Sequence, residues 1–303
     1  MRKEFFALVC ALAIAIPASA EELWAPHMIG ADTGIATGAL PPPGFYFINT
    51  NIFAPWKVVS GSQTTGTNAD VFVEIPQLLW TTPFTPFGAR YAVGVAQPWS
   101  QIDLRPDGQS VGAIARANFF NTIVTPGILS WSLPENLHLS TGLNIFIPNG
   151  TWSNPLTHPA GNLNSNGYWT FEPSVAVSWL KDGWNVSLKA YYDANLKDNG
   201  LDYKSGDIFG TEETVSKEIG KWTVGVSGFT QNQIANDTGT AVALVNGPQA
   251  AIDGHRIQNF GAGPLLGYDF GPVKFMASYF HTFDTRNHVA GSFVYARLIV
   301  PIK

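Results

Sequence analysis

Along most of the chain, apolar and polar side chains alternate with a period of two, the mark of β-strands with one apolar and one polar face. From Leu137 the odd positions carry Leu137, Leu139, Thr141, Leu143, Ile145 and Ile147, and the even ones carry His138, Ser140, Gly142, Asn144 and Phe146. The next segment sets Trp169, Phe171, Val175, Val177 and Trp179 against Thr170, Glu172, Ser174 and Ser178. Then Trp184, Val186, Leu188, Ala190 and Tyr192 oppose Asn185, Ser187, Lys189, Tyr191, Asp193 and Asn195. Charge collects on one side only. A Lys or Arg facing lipid near the midplane costs about 2–4 kcal/mol, which assigns Lys189, and Glu172 with it, to the inside.

Extended in both directions, the pattern predicts strands near 44–56, 70–80, 89–101, 114–132, 137–147, 168–180, 184–195, 206–218, 222–234, 255–268, 272–285 and 291–302. Each has the length that a tilted strand needs to span a bilayer. The segment 206–218 alternates poorly because of Glu212, Glu213, Lys217 and Glu218, and 114–132 is over-long, with a bend expected at Pro126. Short connections fall at 134–136, 181–183, 220–221 and 270–271, with a Pro-rich one near 81–88. Longer polar segments at 57–68, 103–112, 148–167, 196–205 and 235–254, and a shorter one at 287–290, alternate with them. Short turns on one side and long loops on the other is the outer-membrane arrangement, with the turns periplasmic. The sequence thus predicts an all-β fold, a transmembrane antiparallel up-and-down β-barrel of about twelve strands in the bacterial outer membrane.

Tryptophans agree with that topology. Trp80, Trp131, Trp179, Trp184 and Trp222 all fall beside short turns, as a periplasmic aromatic girdle would.

Residues 1–20 read as a signal peptide: Arg2 and Lys3, an apolar run from Phe5 to Ile16, and Pro17-Ala18-Ser19-Ala20, with cleavage expected after Ala20. Residues 21–43 show no strand pattern and are expected to be a periplasmic leader or a lumen plug, carrying Trp24, His27 and Met28; residues 44–303 form the barrel. Cys10, the one cysteine, lies in the signal segment, so no disulfide or cysteine metal site is expected. The chain is 45% apolar and only 13% charged, low for an exported soluble domain. Without Arg2, Lys3 and Glu4 the 17 basic and 22 acidic residues become 15 and 21, a net charge of −6 that argues against a nucleic-acid partner.

The parity of the strands points Glu172, Lys189, Tyr191, Asp193, Phe229, Gln231, Asp284, Arg286 and Arg297 into the lumen, as candidates for selectivity or for ion pairs that fix the shape of the bore. Histidines 27, 138, 158, 255, 281 and 288 lack the spacing of a metal site, and no cofactor is expected. An outer-membrane lipase would need a His two residues before a Ser-Asn-Gly; Ser165, Asn166 and Gly167 are present, but Leu163 holds the base position. No catalytic residue is therefore assigned.

Several segments resemble, in order and spacing, the outer-membrane proteins of the phenol meta-pathway degradation type. These are PPPGFY at Pro41 to Tyr46, NLHLSTGLNIFIPNG from Asn136, YWTFEPSVAVSW from Tyr168, YKSGD from Tyr203, GPLLGYDFG from Gly263 and YFHTFDTRNHVAG from Tyr279. The chain departs from the family at Thr282, where members often carry Glu, and at Ile302-Lys303, where many barrels end on an aromatic residue. The resemblance implies a transporter for small hydrophobic or aromatic molecules, with outer-membrane lipid and the barrel-assembly machinery as partners. A non-transporting structural or adhesin-like barrel is the alternative, and a lipid-hydrolysing enzyme a third.

Overall fold

A computed structural model describes residues 25–105, 115–151, 165–198, 200–247 and 249–302. The signal segment, Trp24, His158 and Leu163 lie outside the described residues.

Fifteen strand segments build one continuous antiparallel wall of twelve strands. We number them β1 (Gly44–Ser60), β2 (Gln63–Thr81), β3 (Arg90–Ala96 continued by Trp99–Arg105), β4 (Ala115–Phe119 continued by Thr122–Ser132), β5 (Leu137–Ile147) and β6 (Thr170–Lys181). The second half comprises β7 (Trp184–Asn195), β8 (Ile208–Ile219), β9 (Trp222–Gln233), β10 (Gln258–Asp269), β11 (Lys274–Arg286) and β12 (Val289–Ala290 with Ser292–Ile302). Each strand pairs with its neighbours in sequence, and β1 pairs with β12 from Phe45↔Ile302 to Phe53↔Val294, which closes the barrel and leaves no free edge.

Local chemistry sets the turns. Between β6 and β7, Asp182 (φ 50°) and Gly183 (φ 78°) both adopt the left-handed conformation that a two-residue hairpin with strand-matching twist demands. At this turn end, exposed Trp80, Trp184 and Trp222 stand on the outer wall, with Phe45 stacked on Trp80 at 5.4 Å and Tyr268 edge-on to Trp222 at 4.7 Å. Trp131 Nε1 donates to the Phe87 carbonyl in the same zone, and half-buried Trp179 stands two strands along, on β6. A second aromatic band nearer the loop end, formed by Phe53 with Phe72, Trp99 with Phe119 and Phe260 with Phe283, was not legible as a girdle in the sequence.

Three segments differ from the predicted boundaries. The expected loop 57–68 is a hairpin that prolongs β1 and β2 to a turn at Gly61-Ser62, its polar residues lying on both faces and hiding the period. Strand β4 shifts register between Val124 and Gly127, as Pro126 requires, and also breaks at Phe120-Asn121, opposite a break in β3 at Gln97-Pro98. Backbone facing lipid needs partners. The Gln97 side chain supplies them, its amide donating to the carbonyls of Phe120 (2.9 Å) and Pro98 (3.2 Å).

At the loop end, the β7–β8 and β9–β10 connections pack together over a small core of Tyr168, Leu201, Tyr203, Val242, Val245 and Ala250. Two short helices, α1 (Val242–Asn246) and α2 (Ala250–Asp253), belong to it, and Lys204 bridges to Thr238. Lys197 and the Thr240 hydroxyl and amide hold the exposed Asp202 carboxyl well below the ordinary carboxylate range. No helix among the described residues is long and apolar enough to cross a membrane.

Candidate functional site

Residues 25–43 carry no strand, and their contacts are with the inward faces of strands all around the barrel. The Gly38 amide donates to Ser178 Oγ (2.8 Å), and the Gly38 carbonyl accepts from Ser130 Oγ (2.8 Å). The Thr37 carbonyl accepts from Ser140 Oγ at 2.9 Å, and the Gly34 amide donates to Thr214 Oγ1 at 2.8 Å. Serines and threonines on alternate strand positions thus satisfy the irregular backbone of a segment that has no ladder of its own. Gly30 adopts φ 79° against the ring of Phe280, where a Cβ would sit only 3.2 Å away.

Charge is concentrated where His27 enters. Its Nδ1 lies 2.7 Å from Glu172 Oε2 on β6 and its Nε2 3.0 Å from Glu212 Oε1 on β8, while its ring stacks on Tyr191 of β7 at 3.9 Å. Ionised carboxylates only accept, so both ring nitrogens carry hydrogen and the imidazole is a cation. Lys189 Nζ pairs with Asp32 and lies 3.4 Å from Glu172 Oε1. Arg297 donates to the carbonyls of Ala31 and Thr33 and, through Nε, to Thr50 Oγ1 at 3.0 Å. Gln231 Nε2 donates to the His27 carbonyl (2.9 Å) and to Tyr191 Oη (3.1 Å). Asp193 sits across the ladder from Glu172, wholly buried, with neither of its oxygens bonded to a donor. The grouping of His27, Asp32 and Glu212 has the spread of a metal site, but its histidine nitrogens are already spent as donors and Lys189 occupies Asp32.

Of the lumen candidates, Glu172, Lys189, Tyr191, Asp193, Gln231 and Arg297 thus converge on the N-terminal segment. Phe229 packs in an aromatic core with Phe280 and Phe293 (5.5 and 5.9 Å). Asp284 and Arg286 do not face inward. The ladder between β10 and β11 shifts so that Phe260 pairs with Asp284 but Gly261 with Thr282, and the extra residue, Phe283, reverses the parity beyond it. Glu212, Thr214, Ser130, Ser140 and Ser178 were missed; strict parity would have found Glu212 had Glu213 beside it not blurred the strand. Met28 packs against the apolar core. Ser165 and Asn166 are buried, with Asn121 Nδ2 donating to the Asn166 carbonyl.

Beside the segment the interior is open. A cavity of about 600 Å³ reaches the turn end, where Asp182, Gly183 and Trp184 border it, and is lined by the segment and by residues from most of the wall, with Asp32 and Lys189 of the charged cluster at its border. A smaller space of about 120 Å³ continues it toward Phe120 and Phe146. Ile35 of the segment and Ile48 and Ile299 of the wall line both, with Asp32, Gln77, Thr125 and Asn144 as the polar groups common to them. The segment therefore fills part of the bore: its backbone is bonded to serines and threonines of β4, β5, β6 and β8, and Ile35 and Leu40, with Asp32, face the cavity.

A closed antiparallel barrel with lipid-facing alternation and an aromatic band at either end is a bacterial outer-membrane protein. The chain belongs to the family described as "Putative MetA-pathway of phenol degradation", which matches residues 56–298. Its fold is that of the COG4313 outer membrane channel from Pseudomonas putida F1, with a TM-score of 0.72 at 12% identity over 87% of this chain and 97% of that one. The TodX monoaromatic hydrocarbon channel (TM-score 0.40, 10% identity, 88% and 91% covered) and the translocator domain of the autotransporter NalP from Neisseria meningitidis (0.45, 8%, 86% and 90%) are more distant barrels that add nothing to that assignment. No curated protein matches the sequence.

Proposed function

We propose that the protein is a passive outer-membrane channel for small, uncharged, hydrophobic or aromatic solutes, which travel in the cavity beside the N-terminal segment. The observation that supports this reading is the cavity itself: Ile35, Leu40, Ile48 and Leu79 line it, an apolar surface of the kind that takes a mostly apolar molecule, while Asp32 and Lys189 at its border are paired with each other. In this reading the precursor loses residues 1–20 after Ala20, the barrel-assembly machinery inserts the remainder, and the segment acts as a resident plug.

Uptake of radiolabelled benzene- and phenol-type probes into proteoliposomes, beside sugars and inorganic ions of similar size, tests the proposal. Preferential entry of the aromatic probes is expected, and equal or absent entry of all of them sinks it. One observation favours a second reading, a closed non-transporting barrel: the loop-end half of the interior is filled by Ile52, Trp56, Phe229, Phe280 and Phe293. That barrel would pass none of the probes.

A further inference from the structure

The outer wall carries polar groups where hydrocarbon should be met. One row of cross-strand neighbours on that face runs Glu213, Gly228, Ala262, His281 and Ser292 over strands β8 to β12. Glu213 takes a hydrogen bond from Thr211 Oγ1 (2.6 Å), and Thr211 is bonded in turn to Thr230 (2.9 Å). At the other end His281 Nδ1 and Tyr279 Oη both meet Ser292 Oγ, at 2.9 and 2.7 Å. Among the described residues neither Glu213 nor His281 has an ion-pair partner. Glu213 lies six residues from the turn end of β8 at Ile219 and His281 seven from that of β11 at Lys274, so the two stand at similar depth, two residues inside the loop-end aromatic pair Phe260 and Phe283, with the Phe283 ring edge-on to His281 at 5.7 Å. Ionisable side chains at such depth are costly and ordinarily face a partner.

We propose that this row is the contact between two copies of the chain, related by a two-fold axis along the membrane normal that passes between Gly228 and Ala262. Glu213 and His281 lie three strand spacings apart, about 14 Å along the wall. The side chains between them are a hydrogen atom and a methyl group, and the Glu213 carboxylate leans over Gly228, where a Cβ would meet it at 3.2 Å. Small residues let two walls touch, as they do between membrane helices. Away from the line of contact the curved walls diverge, and there a long side chain is needed on each side. Two-fold symmetry places Glu213 of one copy opposite His281 of the other, twice. The patch is thus complementary to itself in both charge and shape. Lipid would cover the small floor equally well, but it offers hydrocarbon to the carboxylate and the imidazole.

The test is Ala262→Cys in cells, oxidised in intact outer membranes, with Val175→Cys, exposed on β6 away from the row, as the control that also accounts for Cys10. Cross-linking to twice the chain mass about tenfold above the control is expected, a ratio that corresponds to about 1.4 kcal/mol of association. Adding Glu213→Leu should remove most of it while the heat-dependent gel shift of a folded barrel persists. Unsubstituted protein in detergent should sediment as two chains. Cross-linking no greater than that of Val175→Cys, together with a one-chain mass whether or not lipid is bound, overturns the proposal.

Discussion

Replacing His27 by Ala should release the N-terminal segment without unfolding the barrel. The imidazole is 5% exposed and stands between Glu172 and Glu212 at 2.7 and 3.0 Å. Its loss leaves two carboxylates facing each other across an empty space in a buried site, and removing one partner of a buried charge pair costs about 3–5 kcal/mol. The wall keeps its ladders, so the cost falls on the local equilibrium that docks residues 25–43. At about 1.4 kcal/mol per decade, the undocked fraction rises by about 10² to 4 × 10³. Hydrogen exchange measured by mass spectrometry should report this as faster exchange in peptides covering Gly34, Gly38 and Leu40, whose amides donate to Thr214, Ser178 and Ser130. Peptides from β8 and β9 should stay protected, and single-channel conductance should rise. Unchanged exchange in residues 30–40 would refute the claim that the charged cluster holds the segment.

Other outcomes follow from particular positions. Ile48→Asp puts an unpaired carboxylate beside the cavity and should lower uptake of aromatic probes by about tenfold or more while leaving the gel shift of the folded barrel intact; unchanged uptake would place the route elsewhere. At the β11–β12 turn, burial pushes the His288 imidazole down from 6.5 to about 4, with Asn259 Nδ2 at 3.0 Å from its Nδ1. Because the folded state binds the proton less readily than the unfolded one, this group's contribution to stability is complete above pH 6.5 and is lost as the pH falls toward 4. His288→Gln should flatten the acid limb of a thermal-unfolding series over that window. Gly263→Ala should prevent assembly, since a Cβ there would run into the carbonyl of Tyr279 on the adjacent strand; a normal heat-modifiable band would count against the close approach of β10 and β11.

The parts of the fold that could be read from the sequence are those where each residue answers to one medium. In β5, β6 and β7 the outward face meets only lipid and the inward face only polar partners, so parity alone locates Glu172, Lys189 and Asp193. Reading fails where that rule is broken locally. Glu212 and Glu213 are adjacent because one serves the interior and the other the outer surface, and a period-two search sees only a run of charge. Asp284 and Arg286 were misassigned because one additional residue at Phe283 reverses the register, and nothing in composition announces a bulge. The loop-end hairpin of β1 and β2 has polar groups on both faces, which erases the alternation on which its recognition depends. Residues 25–43 are illegible for a deeper reason: their conformation is imposed by side chains brought together from most of the barrel wall, and those distances do not exist along the chain.

The paired interruptions at Gln97-Pro98 and Phe120-Asn121 give the cylinder one joint of a different kind from the rest. Elsewhere, neighbouring staves are fastened by repeating main-chain bonds that must be broken in series; here the ladder is reduced to one such bond, from the Phe120 amide to the Pro98 carbonyl at 2.9 Å, with the Gln97 carboxamide beside it. Mechanical load or heat applied to the wall is therefore concentrated on that joint, and when the hoop parts it will part between β3 and β4.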